Sequence, residues 1–202
     1  MFKKLIQTLL LGVFLGMVPL GCCKDEPREY VTVRGLKLYL SEPAPGSPLL
    51  NSGARTSAPE LLTTVRLEYN YVAAAPVGAL FTSQAVAWSC EAPGRKGLKD
   101  KVTAVTFTST GLFNGVAAGQ PLNQFVRCSG GRSYHQGAEF ALAYLADSLN
   151  SWKSGEYGDL NTPLYLRISP KPRDNAHQQF QLRLRFASGH EVVQTAPDIR
   201  WD

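Results

Sequence analysis

The sequence contains few residues of the kinds that build metal and redox centres. Its 202 residues include three histidines, four cysteines and two methionines. His135, His177 and His190 lack metal-ligand spacing, so we expect no metal site. No C-x-x-C, H-E-x-x-H, G-x-S-x-G or phosphate-binding-loop motif is present. No motif for a nucleophile or for acid–base catalysis is visible either. We therefore expect that the protein has no cofactor and is not an enzyme.

Charged residues and long hydrophobic runs are also scarce. Charged residues make up 18% of the chain, and the formal net charge is +5. Without residues 1–21, which include Lys3 and Lys4, the charge is +3 over 181 residues. This is too little for a nucleic-acid-binding surface, and we expect no nucleic-acid partner. No second long apolar run follows the first, which excludes a protein with several transmembrane helices.

The one long apolar run lies at the N-terminus. Two lysines precede an apolar stretch over residues 5–20, and the small residue Gly21 follows. The stretch is short for a membrane span and typical of a secretory signal peptide. A cysteine at the cleavage point, Cys22, indicates the lipoprotein form of that signal, which signal peptidase II cleaves. We therefore predict a signal peptide over residues 1–21 and lipidation of the Cys22 thiol.

Cys23 is the alternative lipidation site. Cys23 has the more usual residue three positions before the cut, Leu20, where Cys22 has Pro19. Cys22 has the more suitable residue directly before the cut, Gly21. Acyl chains such as palmitate contribute about 0.8 kcal/mol for each buried methylene, so an acylated cysteine anchors a protein without a membrane helix. An ordinary signal peptide with incidental cysteines is the remaining alternative.

The rest of the sequence alternates apolar and polar residues, which is typical of strands with one buried face. Ser188-Gly189 predicts a hairpin turn. Before residue 34 the apolar residues are at odd positions and after it at even ones, which predicts a bulge at Gly35. We therefore predict a mainly β protein, an antiparallel β-sandwich that is immunoglobulin-like or related. The alternating segments are 31–40, 65–71, 86–90, 103–110, 164–168 and 180–186.

One segment has helical spacing instead. Ala141, Leu145, Leu149 and Trp152 recur every three to four residues, which predicts an amphipathic helix of about four turns around residues 138–153. Residues 41–60 are rich in proline, serine and alanine and predict a mobile loop. We expect residues 22–29 to form a tether and residues 30–202 a single β-rich domain.

Two further sets of residues are candidates for a structural or binding role. Cys90 and Cys128 could form a disulfide in an exported protein, or remain two separate buried thiols. Tyr134, Tyr157 and Trp201 fall in predicted loops or at the end of the chain. Exposed aromatic rings of this kind can stack on sugars, so these three residues are candidates for ligand binding.

The segment that follows the predicted signal peptide contains a lysine and two acidic residues. It reads Cys22-Cys23-Lys24-Asp25-Glu26-Pro27. This segment resembles the start of mature lipoproteins of the Bacteroidota, in which such a charged triplet resembles the signal for display on the outer face of the outer membrane. The order of segments 89–93, 99–103, 113–114, 118–125, 180–189 and 196–199 is similar to a family of Bacteroidota lipoproteins described only as a domain of unknown function.

The resemblance implies an outer-membrane lipoprotein exposed at the cell surface, or alternatively one that faces the periplasm. It implies no catalytic residues. We therefore expect a lipid-anchored protein of the cell envelope that acts as a non-enzymatic surface binding or structural module, with the membrane as one partner and a glycan or protein as another. The alternative is a hydrolase that acts on an extracellular polymer.

Overall fold

A computed structural model of the chain describes residues 28–74, 92–130, 138–152 and 162–202. This part of the chain is mainly β, with antiparallel sheets, as the sequence predicts. The strands are β1 Tyr30–Ser41, β2 Leu49–Leu50, β3 Ala54–Thr56, β4 Leu61–Val72, β5 Val102–Ser109, β6 Val126–Gly130, β7 Phe140–Ala141, β8 Leu164–Ile168, β9 His177–Gln178, β10 Phe180–Phe186, β11 Glu191–Thr195 and β12 Ile199–Trp201. The helix α1 spans Leu145–Asn150.

The largest sheet has six strands in the order β2-β1-β4-β8-β6-β7, and every neighbouring pair in it is antiparallel. The register between β1 and β4 shifts between Val33 and Gly35, so the predicted bulge is confirmed. A Cβ atom at Gly35 would lie 2.9 Å from Oε2 of Glu68. Glycine at this position therefore lets the two strands stay close where the alternation of buried residues changes phase.

A second sheet has three antiparallel strands in the order β11-β10-β5. Strand β11 contacts β1, and the apolar residues of both sheets form one core. The hairpin turn predicted at Ser188-Gly189 connects β10 and β11, with Gly189 at φ 86°. Rings of Phe107, Phe113 and Phe180 pack together in the core, with centroid separations of 5.4 and 6.0 Å. The sheets thus have a sandwich-like arrangement.

A third sheet, β3-β12-β9, corrects the expectation for residues 41–60. That segment contains β2, which pairs with the end of β1, and β3, which pairs in parallel with the C-terminal strand β12. The amide of Gly53 also donates a hydrogen bond to the carbonyl of Asp198 at 2.9 Å. Long-range pairing with the C-terminal residues gives this proline-rich segment regular structure, which its local composition does not indicate.

The helical segment is shorter than its spacing predicts. Phe140 and Ala141 form the edge strand β7, in which Phe140 pairs with Cys128 and is buried. A 3-10 turn, Leu142–Tyr144, leads into α1. The apolar periodicity therefore arises partly from a buried edge strand and only partly from α1. No helix in the described ranges is long and apolar enough to cross a membrane.

Candidate binding surfaces

Most of the residues that the sequence marks as candidate sites lie outside the described residues. These are the two lipidation candidates, Cys22 and Cys23, the disulfide candidate Cys90, and the ring candidates Tyr134 and Tyr157. Their roles therefore stay predictions. Two candidates, Cys128 and Trp201, fall in the described part of the chain.

Trp201 does not present its ring to solvent. The side chain is 1% exposed, and its indole Nε1 donates a hydrogen bond to the carbonyl of Ala58 at 2.7 Å. The ring packs against Phe113 and Phe180. The expectation of an exposed ligand-binding ring is therefore wrong, because β12 is held between β3 and β9 and carries the ring into the core.

Cys128 is a free thiol at the centre of β6. It is fully buried, and burial raises its pKa to about 12 because an apolar environment penalises the thiolate. A thiol with this pKa is unreactive as a nucleophile at neutral pH. Cys128 thus corresponds to the second alternative, a separate buried thiol, and not to the disulfide. Its predicted partner, Cys90, falls outside the described ranges.

The described ranges contain no group of three or more histidine, cysteine or acidic side chains that could hold a metal ion. His177 lies in β9 and is exposed. His190 stacks on the ring of Phe186 at 5.8 Å. Neither imidazole belongs to a cluster with metal-ligand geometry.

The outer face of the six-stranded sheet carries side chains aligned in rows across the strands. One row is Tyr39, Thr64, Tyr165 and Ser129, on β1, β4, β8 and β6. Since neighbouring strands are about 4.8 Å apart, the two tyrosine positions are separated by about 10 Å. We call the set Tyr39, Thr64, Arg66, Arg127, Tyr165 and Arg167 the outer sheet face.

Two arginines of the outer sheet face have no ion-pair partner among the described residues. Arg66 lies over the ring of Tyr39, with its guanidinium carbon 5.8 Å from the ring centroid. Arg127 is exposed and lies directly opposite Arg167 in the register of β6 and β8. Like charges directly opposite each other are unfavourable, so this arrangement requires a nearby anion for at least one of the two arginines.

Arg167 is already neutralised from within the protein. Its Nη1 lies 2.7 Å from Oε1 of Glu60, and its Nε lies 2.9 Å from Oε1 of Glu139. Lys37, next to this face, forms an ion pair of 2.5 Å with Glu68, which raises the pKa of the lysine. The free cations are thus Arg66 and Arg127, each near a half-buried tyrosine, Tyr39 or Tyr165. A face with these side chains can donate hydrogen bonds to hydroxyls or carboxylates and stack tyrosine rings on sugars.

A second charged surface lies where the described domain begins. Residues 94–99 run beside the start of β1. The amide of Gly94 donates to the carbonyl of Arg28, and the amide of Lys96 donates to that of Glu29, both at 2.8 Å. These contacts bring together four basic side chains, which we call the basic patch: Arg28, Arg95, Lys96 and Lys99.

Glu29 holds two members of the basic patch. Its side chain is 15% exposed and accepts hydrogen bonds from Arg95 at 2.8 Å and Lys96 at 2.6 Å. The hydrogen bonds from Lys96 and Arg95 lower the pKa of Glu29 below its ordinary value. The Lys96 Nζ also lies 5.4 Å from the ring centroid of Tyr30. Both cations are therefore fixed at the surface and remain about 40% exposed.

Sequence reasoning identified neither surface as a site. The alternation in segments 65–71 and 164–168 did indicate that Arg66 and Arg167 face solvent, but alternation does not reveal which strands are neighbours. The basic patch depends on a parallel bridge between Val31 and Leu98 outside the regular strands, for which the sequence contains no signal.

No family model, curated protein or solved structure matches this chain. The resemblance to Bacteroidota lipoproteins therefore stays a prediction from the residues quoted above.

Proposed function

We propose that this chain is a lipid-anchored protein of the outer membrane, attached through Cys22 and displayed at the cell surface. In this proposal its β domain is a non-enzymatic module that binds a glycan or protein ligand or supports the envelope. A domain on the periplasmic side of the same membrane is the alternative location.

The observation that carries the proposal is the short distance between the lipidation signal and the folded domain. The apolar run ends in Gly21-Cys22, and the first described hydrogen bond of the domain is made by Arg28. The connection is long enough for a tether and too short for a further domain. An acylated cysteine at this place would hold the domain against its membrane.

The outer sheet face supports a binding role. It presents two half-buried tyrosines and the guanidinium groups of Arg66 and Arg127, which have no ion-pair partner among the described residues. Three carboxylates beside it are ion-paired: Glu60 and Glu139 to Arg167, and Glu68 to Lys37. This combination suits a ligand with hydroxyl and carboxylate groups, such as an acidic glycan or an acidic protein segment.

Cell fractionation of substituted proteins tests the anchor. We expect Cys22→Ala to remove the protein from detergent-extracted outer membranes and Cys23→Ala to leave it there. Protease treatment of intact cells should remove the unsubstituted protein, with a periplasmic protein as control for cell integrity. Membrane retention of Cys22→Ala would contradict lipidation at this residue, and protease resistance would favour the periplasmic side.

Gel-shift electrophoresis in polysaccharide-containing gels tests the binding face. Hyaluronan carries carboxylates and dextran does not, so we expect hyaluronan to retard the protein more strongly than dextran. The double substitution Arg66→Ala/Arg127→Ala should abolish the difference. Arg173→Ala/Arg200→Ala removes the same amount of charge outside the outer sheet face and should preserve the difference between the two gels. Equal migration of all proteins in both gels would contradict an acidic-glycan ligand.

A further inference from the structure

The basic patch carries a net positive charge. Its four cations and the carboxylate of Glu29 sum to +3. The surface at the end where the described domain begins can therefore attract anions although the mean charge of the chain is low.

Main-chain hydrogen bonds hold the basic patch together. The amide of Val31 donates to the carbonyl of Gly97, and the amide of Lys99 donates to the carbonyl of Val31, both at 2.9 Å. The Lys99 Nζ reaches the carbonyl of Ala73 at 3.2 Å and remains exposed. Because the segment is fixed to β1 residue by residue, its cations keep their positions relative to Arg28.

The patch lies within a short distance of the anchor. Cys22 and Arg28 are six residues apart, and an extended chain of six residues spans at most about 20 Å. Anionic membrane surfaces attract basic residues over about a Debye length, roughly 8 Å at physiological ionic strength. The tether thus limits the patch to the neighbourhood of the headgroups and allows direct contact with them.

We propose that the basic patch binds the anionic headgroups of the bilayer that holds the Cys22 lipid, so that the domain rests on the membrane by the end at which its chain begins. This inference rests on the proposed lipid anchor. Lysine and arginine donate to headgroup phosphates, and Glu29 positions Arg95 and Lys96 without neutralising the patch. The outer sheet face, on another part of the domain, would remain available to a ligand.

Amine labelling of the lipidated full-length mature protein tests the contact. The protein is extracted from membranes, its mass is measured, and it is inserted from detergent into the outer leaflet of preformed vesicles. The vesicles consist of phosphatidylcholine alone or of phosphatidylcholine with phosphatidylglycerol. A membrane-impermeant acylating reagent then reports the exposure of Lys96 and Lys99, and Lys37 serves as internal reference.

We expect phosphatidylglycerol to slow the labelling of Lys96 and Lys99 relative to Lys37, and high salt to reverse the effect. Arg28→Gln/Lys99→Gln leaves both partners of Glu29 in place and should weaken docking by about fivefold per charge, so that Lys96 becomes accessible again. Arg55→Gln/Arg173→Gln removes two exposed charges outside the patch and outside the outer sheet face, and should leave the labelling of Lys96 slow.

The outcomes separate the two proposals. Suppose that the protein is lipidated but Lys96 is labelled at the same rate in both kinds of vesicle, or that the control substitution restores labelling as much as Arg28→Gln/Lys99→Gln does. Either result contradicts headgroup binding by the basic patch and leaves the lipid anchor supported. If the extracted protein lacks acyl mass, the anchor is overturned. Co-sedimentation of that protein with phosphatidylglycerol vesicles, dependent on Arg28 and Lys99, then supports the patch, and its absence overturns the patch as well.

Discussion

Gly94 and Gly46 have the same left-handed backbone conformation but different surroundings. Gly94 has φ +78°, and a Cβ atom there would lie 2.8 Å from side-chain atoms of both Tyr71 and Val31. Gly46 has φ +77°, and nothing lies within 4 Å of its Cβ position. The left-handed conformation costs a non-glycine residue about 1–2 kcal/mol, and overpacking adds about 1–3 kcal/mol.

We therefore predict that Gly94→Ala lowers the free energy of unfolding by the sum of both costs and Gly46→Ala by the conformational cost alone. Urea denaturation of the two variants measures the difference directly, because the backbone term is common to both. Equal losses would contradict the close packing of residues 94–99 against β1 on which the basic patch depends.

Trp201 shows how a residue near the chain end can belong to the core. Trp201→Phe keeps most of the apolar area but removes the donor to the Ala58 carbonyl. We expect a loss of about 0.5–1.5 kcal/mol in the free energy of unfolding, since the partly buried carbonyl of Ala58 loses its hydrogen-bond donor. Leu49→Ala alters a side chain that is 54% exposed and should change stability by at most about 0.5 kcal/mol. Similar values for both variants would show that the indole hydrogen bond contributes nothing.

At the scale of elements, Asn150 protects the free edge of β5. The Val102 amide donates to Oδ1 of Asn150 at 2.9 Å, and Nδ2 of Asn150 donates to the Val102 carbonyl at 2.8 Å. The side-chain amide thus replaces a neighbouring strand at this point. An uncovered edge would present unpaired main-chain groups to other molecules.

Asn150→Ala should lower the free energy of unfolding by about 1–3 kcal/mol, because two main-chain groups lose their partners. Hydrogen exchange of the Val102 amide should accelerate as well. The control is Asn123→Ala, since Asn123 is exposed and its side chain makes no hydrogen bond within the described ranges. If Val102 exchanges no faster in Asn150→Ala than in Asn123→Ala, Asn150 does not cover the edge.

The alternation of apolar and polar residues predicts the longer strands but not which strands pair with each other. The apolar alternation of residues 65–71 and 180–186 follows from burial of one face, so β4 and β10 could be predicted. The short strands β2, β3 and β7 could not, because two or three residues carry no periodicity and owe their conformation to distant partners. Pairing with a distant strand also explains why the helix is shorter than predicted, because Phe140 pairs with Cys128 of β6 before α1 begins.

At the scale of the whole molecule, Asp174 links two distant loops. Its carboxylate accepts hydrogen bonds from the amides of Gly115 at 2.7 Å and Asn114 at 3.0 Å. These bonds, that from Gly115 first, lower the pKa of Asp174 below its ordinary value of 3.8. A carboxylate whose pKa is lowered by folding stabilises the protein above its unfolded pKa, and this contribution is lost as the pH falls through the folded pKa.

We therefore predict that the stability of the protein decreases as the pH falls below about 3.8 and that Asp174→Asn reduces this dependence. Urea midpoints measured across the acidic range test it. The control is Asp147→Asn, since the Asp147 carboxylate makes no hydrogen bond in the described segments, and we expect that variant to keep the steeper dependence. Parallel curves for both variants would contradict the loop–loop role of Asp174.

The candidate surfaces were less predictable than the fold. Single exposed positions such as Arg66 follow from alternation, but a surface requires several strands in a known register. The basic patch joins residues 28 and 99, which are far apart in the chain and come together through main-chain pairing outside the strands. The prediction that Trp201 is exposed was wrong because a position near the C-terminus suggests exposure. In the structure, β12 lies between β3 and β9, and the Trp201 ring is buried.

If a lipid on Cys22 holds this β domain at a membrane, as we propose, the intact mass of the protein extracted from membranes must show it. We expect the mass of residues 22–202 plus acyl groups. The mass of an unmodified chain, or of a chain that retains residues 1–21, would contradict it.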